Sequence, residues 1–352
     1  MNIPHSQPSL GQKEAEAAGR VIMSAYIAQG KEVFRFEQAL AARIGVPCAV
    51  STSSGTAALH LTLLAMGIGP GDQVIIPSYV CTSLLHAVNY TGAEAVLAEI
   101  IPETYNMSPE DVEKKINPRS KAIILPHMFG APADTEAFLS FNIPLVEDCA
   151  QSLGGMQKGK MLGSIAHAAV FSFYANKIIT TGEGGMVLSR SEDLTARIRD
   201  LRDYDNKTGY KIRYNYKMTD IQAAVGLVQL QRLDEFTTRR KNIAEQYYQY
   251  LNHARTADAG IRLPHSDPGR IYYRFPVEIG KNADALIRNM QKQGIACPRP
   301  VHCPLHRCLE QDAFPQTEKI WKNTVSLPIY PKLSDAEVRY TAEMLMKLAA
   351  FL

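Results

Sequence analysis

Residues 48–68 read CAVSTSSGTAALHLTLLAMGI, and the change of pattern inside them decides the fold. CAVST has the length and apolar character of a short strand, while GTAALHLTLLAMGI has the length and composition of a helix. Between them lies Ser53-Ser54-Gly55, a turn too short for anything but a direct strand-to-helix passage. The same alternation repeats outward from it. DQVIIP (72–77) leads into VCTSLLHAVNYTG (80–92), and EAVLAEI (94–100) precedes SPEDVEKKI (108–116). SKAIILP (120–126) precedes ADTEAFLSF (133–141), and IPLVEDC (143–149) follows. Strands of about five residues separated by helices of ten to fifteen predict an α/β fold with a mostly parallel central sheet flanked by helices. In such sheets ligands sit beyond the carboxyl ends of the strands. The distinctive polar residues fall there: Ser53 to Thr56, Ser78, His127, Asp148 and Lys177.

Beyond residue 192 helical patterns dominate to about 250, including DIQAAVGLVQLQRLDEF (220–236). Then come YYRFPVEI (272–279), DALIRNMQKQGI (284–295), a loop rich in Pro, Cys and His at 297–308, and a last helical run, DAEVRYTAEMLMKLAAFL (335–352). At 352 residues two units are expected: a large domain over 1–235 and a smaller C-terminal α+β domain over 236–352. The 38 basic residues against 35 acidic ones give a net charge of +3 with histidines neutral, too little to argue for nucleic acid. Six cysteines in a chain this long do not form a disulfide framework, which points to reduced thiols and a cytoplasmic location. No signal peptide is indicated at the N-terminus, and no apolar run approaches the length of a membrane helix.

Four features carry chemistry. At STSSGTAALHLTLL, free backbone N–H groups and the positive end of a helix dipole point to one spot, with the Ser54 and Thr56 hydroxyls beside them. Plain N-capping would use the same residues, but Gly55 lets an anion approach the backbone closely. In PLVEDCAQS (144–152), Asp148 ends an apolar strand. It could cap the next segment, or it could neutralise a buried cationic ring nitrogen. In AVFSFYANKIITTGEGGMVLS (169–189), Lys177 is a lone cation between VFSFY and IITTGEGG. An amine held among apolar neighbours is a nucleophile toward aldehydes. Finally HCPLHRC (302–308) looks metal-like, yet zinc sites use paired spacings from separated knuckles. A polar substrate loop is expected there, and no metal. Together the first three describe pyridoxal 5′-phosphate: phosphate on residues 54–57, ring nitrogen on Asp148, aldehyde on Lys177 as a Schiff base.

In order and wording these motifs resemble those of the DegT–DnrJ–StrS sugar aminotransferases. The resemblance runs from AQGKEVFRFEQALAARIG (28–45) through SSGTAALHLTLLAMGIGPGDQVIIPS (53–78), HMFGAPAD (127–134), VEDCAQSLGG (146–155), FSFYANKIITTGEGGMV (171–187) and YNYKMTDIQAAVGLVQLQRLDEF (214–236) to SLPIYPKLSDAEV (326–338). It implies an aspartate-aminotransferase-like fold (fold type I) and a homodimer with shared active sites. It implies Lys177 and Asp148 as the catalytic pair, and Gln151 against the oxygen side of the cofactor ring. Gly55, Thr56, Ala57 and Ser172 match phosphate contacts, with Asn215 supplying another from the neighbouring subunit. His302, Tyr330, Tyr174 and the loop near Tyr26 match the substrate side. The family usually stacks an aromatic residue on the ring where this chain has Cys81, with Tyr79 as the alternative ring. A branch that dehydrates instead of aminating has histidine in place of Lys177. The reaction implied moves an amino group from glutamate or glutamine to a keto sugar, carried on a nucleotide. The alternatives are a keto-cyclitol acceptor, another reaction of the same cofactor such as a lyase or racemase, and a regulatory member without turnover.

Overall fold

The computed structural model describes residues 2–251, 260–281 and 283–349. Its centre is a seven-stranded sheet in the order β1-β9-β8-β5-β4-β2-β3. The strands are β1 (Cys48–Thr52), β2 (Gln73–Pro77), β3 (Glu94–Ala98), β4 (Ser120–Pro126), β5 (Leu145–Asp148), β8 (Ala168–Ser172) and β9 (Gly185–Ser189). β6 (Met156–Gln157) and β7 (Lys160–Met161) form a separate small hairpin. The sheet is parallel except for β9, which runs antiparallel to both β1 and β8. The apolar runs seen in the sequence are continuous because helices cover both faces, so no face of β2 or β5 meets water.

Successive residues of β8 divide between the two sides, as the pleat requires. Val170 joins a core with α3 (Gly55–Ala65), α4 (Ser83–Asn89) and α7 (Glu192–Arg202), whereas Ala169 and Phe171 join one with α2 (Lys31–Ile44) and α8 (Asp220–Gln231). α3 is buried nearly all round, so its apolar composition follows from its position between sheet and α4 rather than from an amphipathic stripe.

The C-terminal part is α+β. β10 (Phe275–Glu278) pairs antiparallel with β11 (Thr324–Leu327) and is packed by the helices Asp284–Lys292 and Asp335–Ala349. The helix α9 (Leu233–Tyr250) runs through residue 235 without a break. Its first residues, Leu233 and Phe236, belong to the core under the large sheet, and Ile243, Ala244 and Tyr247 belong to the C-terminal core. The chain start also lies in that C-terminal core: Ile3 is fully buried, donates its N–H to Gly294 at 2.8 Å and accepts from Ala296 at 3.0 Å. No periodicity in so short a segment announces this docking.

Candidate active site

β1, β4, β5 and β8 deliver their carboxyl ends to one edge of the sheet, and the antiparallel β9 begins there, with Gly185 opposite both Thr52 and Ser172. At that edge Ser54 is extended (φ −162°) and its Oγ accepts the Ala57 N–H at 3.1 Å. Ala57 therefore spends its N–H on the cap, one step inside the helix. The N–H groups of Gly55 and Thr56 lead α3 and have no intrahelical acceptor. The approach of neighbouring strands is tight enough to require glycine. A Cβ on Gly55 would stand 2.9 Å from the Ser172 Cβ, and one on Gly185 would stand 2.3 Å from the Ser54 carbonyl oxygen. Ser53 anchors the same turn by donating its N–H to the Tyr216 carbonyl at 2.7 Å.

Asp148 closes β5. Its Oδ1 accepts the Ala150 N–H at 3.0 Å, and its own carbonyl accepts from His127 N–H at 3.2 Å. Burial pushes the carboxyl above its ordinary range; the Ala150 N–H, Lys177 and His127 pull it back without cancelling that effect. Lys177 lies in the turn after β8 rather than on the strand end, because the strand stops at Ser172. The turn is held by Lys177 N–H to Tyr174 O at 2.9 Å and Thr181 N–H to Phe173 O at 3.0 Å. Ile178 and Ile179 are buried, and the half-buried Lys177 lines the cavity. Its Nζ lies 5.2 Å from the centroid of the Tyr273 ring.

These elements enclose a cavity of about 250 Å³ whose wall contains Gly55, Thr56, Asp148, Gln151, Ser172, Tyr174 and Lys177 together. Gln151 Oε1 accepts the Phe129 N–H at 3.0 Å, which fixes its amide. Cys81 also lines the cavity. Tyr79 does not replace the missing ring: it is fully buried, stacked on Tyr105 at 6.2 Å and edge-on to Phe129. The other expected residues lie elsewhere in this chain. Tyr26 is 82% exposed, in a separate depression with Arg20, Lys31 and Arg35. Asn215 is exposed, beside the Tyr216 that anchors Ser53. His302 is exposed and gives its carbonyl to Trp321 Nε1 at 3.2 Å. Tyr330 is buried in the C-terminal core.

Two residues near the cavity were not singled out from the sequence. Glu183 stands in its wall; the TTGEGG motif contains it, but no pattern assigned it a role. Tyr273 sits 96 positions from Lys177, its OH donating to Asn176 Oδ1 at 3.1 Å, and nothing local predicts that meeting. A larger hollow of about 620 Å³ opens by His167 and Arg190, next to the amino ends of β5 and β8 and away from the cluster of titratable groups just described.

One buried trio could suggest a metal: His127, Glu147 and Cys149 bring their ligand atoms within 4.8 Å. Hydrogen bonding occupies two of them instead. Ala133 N–H donates to His127 Nδ1 at 3.0 Å, so Nε2 carries the proton and donates to Glu147 Oε1 at 3.1 Å. The Glu147 oxygens also accept from the N–H groups of Gly163, Ile165 and Ala166. Burial works against the Glu147 carboxylate, but these partners together hold its pKa below the ordinary range. The trio is a brace behind Asp148.

The cavity fits pyridoxal phosphate on its own terms. A buried carboxylate with one backbone donor, raised by desolvation, gains from a cationic ring nitrogen. A helix start whose glycine leaves no room for a Cβ suits a phosphate held by backbone N–H groups. The amine of Lys177 shares the same wall.

Comparison with known proteins agrees with this chemistry. The model of the DegT/DnrJ/EryC1/StrS aminotransferase family matches residues 8–346. A GDP-perosamine synthase of Caulobacter vibrioides is 37% identical over 329 residues, 88% of each chain. The solved structure of the aminotransferase TlmJ from Streptoalloteichus hindustanus superposes with a TM-score of 0.93 at 31% identity, covering 99% of both chains. The PLP form of a Streptococcus pneumoniae protein assigned as a sugar aminotransferase superposes with a TM-score of 0.92 at 28% identity, again covering 99% of both.

Proposed function

This chain belongs to the DegT/DnrJ/EryC1/StrS aminotransferase family and is a pyridoxal-phosphate-dependent aminotransferase; from that premise we propose that it transfers an amino group from glutamate or glutamine to a nucleotide-linked keto sugar. The observation that carries the reading is the convergence of Lys177, Asp148 and the Gly55–Thr56 helix start on one cavity. The nucleotide-linked acceptor is supported by the relative named GDP-perosamine synthase.

Pyridoxal phosphate, when bound, supplies the electron sink that lets nitrogen leave one carbon and join another. The chain supplies the rest. The Gly55 and Thr56 N–H groups and the Ser172 hydroxyl bind the phosphate, each charge-assisted bond contributing about 1.5–3 kcal/mol. Asp148 would hold the ring nitrogen as a cation, and Gln151, pinned by the Phe129 N–H, would contact the ring's oxygen side. Lys177 Nζ takes the proton from the donor's α-carbon and returns one at the acceptor carbon. Cys81, in the cavity wall, would offer a bound ring less flat surface than an aromatic side chain.

The substrate-side roles of Tyr174, Tyr26, His302 and Tyr330 are part of the same proposal. So is a homodimer in which Asn215 completes the partner's phosphate site. Met23, Tyr26, Ile27, Tyr210 and Ile212 are all exposed, and a second copy would cover such apolar area. A domain boundary at 235/236 and a cytoplasmic location are proposed with it; among the described residues no helix is long and apolar enough to cross a membrane.

The test is direct. Glutamate added to the holoenzyme should shift the cofactor's visible absorbance and release 2-oxoglutarate, and the resulting amino form should aminate a panel of nucleotide-linked keto sugars. Lys177→Ala should abolish both half-reactions. No shift with any common amino donor overturns the transfer reading, and amination of keto-cyclitols alone replaces the acceptor.

A further inference from the structure

Of the motif HCPLHRC (302–308), the proposed function uses only His302; the two cysteines have no part in it. In the structure Cys303 and Cys308 face each other across the one-turn helix Leu305–Cys308, with the Cys308 thiol donating to Cys303 Sγ at 3.4 Å. Cys308 is exposed and Cys303 half-buried. The remaining cysteines, 48, 81, 149 and 297, have no sulfur partner among the described residues. The pair straddles a docked turn. Leu305 N–H donates to the Ser78 carbonyl at 2.8 Å, and His306 Nδ1 meets Ser78 Oγ at 2.7 Å, just beyond β2 and three residues before Cys81. The immediate neighbours of both cysteines hold the chain's single tryptophan. His302, beside Cys303, accepts the Trp321 Nε1–H at 3.2 Å; Arg307, beside Cys308, stacks its guanidinium 4.0 Å from the Trp321 ring.

We propose that Cys303 and Cys308 form a reversible dithiol–disulfide site, oxidised by low-molecular-weight disulfides, that reshapes the 302–308 loop docked on Ser78. A disulfide needs its sulfurs at about 2.05 Å, so the pair must close by little more than an ångström, a shift available at the exposed Cys308 end of the turn while Leu305 and His306 stay buried. The exposed Cys308 is the entry point. Its thiolate attacks one sulfur of the small disulfide, forming a mixed disulfide and expelling one small thiolate. Cys303, whose pKa is raised chiefly by burial, gives its proton to solvent as it attacks the Cys308 sulfur and expels the second small thiol. Two cysteine thiols are oxidised by two electrons, and one small disulfide is reduced to two thiols. Closing the pair draws the His302 carbonyl and Arg307 toward each other, so Trp321 must change its contacts. The chemistry is independent of the aminotransferase reading.

The experiment uses the full-length protein incubated with oxidised glutathione, then with dithiothreitol. Trypsin cleaves after Arg307, so the bond is expected as a cross-link between the peptide ending at Arg307 and the peptide beginning at Cys308, with Cys303 as the bonded residue. It should appear with the loss of two reactive thiols per chain and be undone by dithiothreitol. Trp321 emission should change on oxidation and return on reduction. Cys303→Ser should abolish both the cross-link and the emission change, leaving a stable glutathione adduct on Cys308; Cys308→Ser should abolish everything. A wild-type adduct that stays on Cys308, a bond to Cys297 instead of Cys303, or a cross-link that leaves Trp321 emission unchanged overturns the proposal.

Discussion

Asp148 shows how one side chain ties stability to ligand. Burial raises its pKa, so in the cofactor-free protein its ionisation destabilises the fold. That penalty is absent below the unfolded value of about 3.9, builds up between there and the raised folded value, and is complete above it. Asp148→Asn should therefore melt higher than the wild type at neutral pH without cofactor, with the gap closing toward about pH 4. With pyridoxal phosphate the order should reverse, because losing a charge-assisted bond of about 1.5–3 kcal/mol weakens retention about tenfold to a hundredfold. Thermal melts with and without cofactor measure both. Tyr273 is the second residue of interest. Its ring centroid lies 5.2 Å from Lys177 Nζ and 5.3 Å from the Arg274 guanidinium carbon. Burial would raise the phenol's pKa, but Lys177, Arg274 and Arg240 outweigh it and hold it below the ordinary value. Tyr273→Phe keeps the ring and loses only the bond to Asn176; Tyr273→Leu loses both. The leucine variant should displace the pH dependence of the cofactor's absorbance further than the phenylalanine variant, read by spectral titration.

At the scale of elements, the site exists because β9 enters the sheet against the grain and starts where β1 and β8 end. Gly185 is the contact point, and its packing against the Ser54 carbonyl leaves no room for a methyl group. Gly185→Ala should cost about 1–3 kcal/mol as overpacking against backbone and should widen the turn that carries Gly55 and Thr56. Denaturant melts should show the first effect, and a weaker cofactor affinity the second. The turn at Gly55 was legible in the sequence because strand, glycine and helix follow one another directly. The reversed direction of β9 was not, since a five-residue apolar run reads the same in either direction and only its neighbours define its sense.

Across the whole molecule, α9 joins the two cores, and Arg240 is the bolt. It is 3% exposed, and its Nη1 donates to the carbonyls of Tyr272, Tyr273 and Ile329 at 3.3, 3.2 and 2.9 Å. Burial lowers its pKa to about 10. Arg240→Ala strips a donor from three buried carbonyls, each lost partner costing about 1–3 kcal/mol where no water replaces it. Chemical denaturation should show a large loss of stability. Because Tyr273 hangs from the same clamp, the cofactor spectrum should broaden with it even at temperatures where the variant stays folded.

The sequence by itself determined the class of fold and the chemical set. Strand and helix periods, glycine turns and polar residues just past apolar runs are local facts, and Gly55, Thr56, Asp148 and Lys177 stand out from them; Gln151 and Ser172 entered only through the family resemblance. Tertiary structure alone decided the rest: Glu183 and Tyr273 in or beside the wall, Tyr79 sealed away with Tyr105, Tyr330 in the C-terminal core, Ile3 docked there, and Trp321 gripped by the neighbours of two cysteines. The physical reason is that each of these depends on groups far apart in the chain meeting at van der Waals or hydrogen-bond range. No period, cap or turn encodes such meetings. They follow from how the layers close.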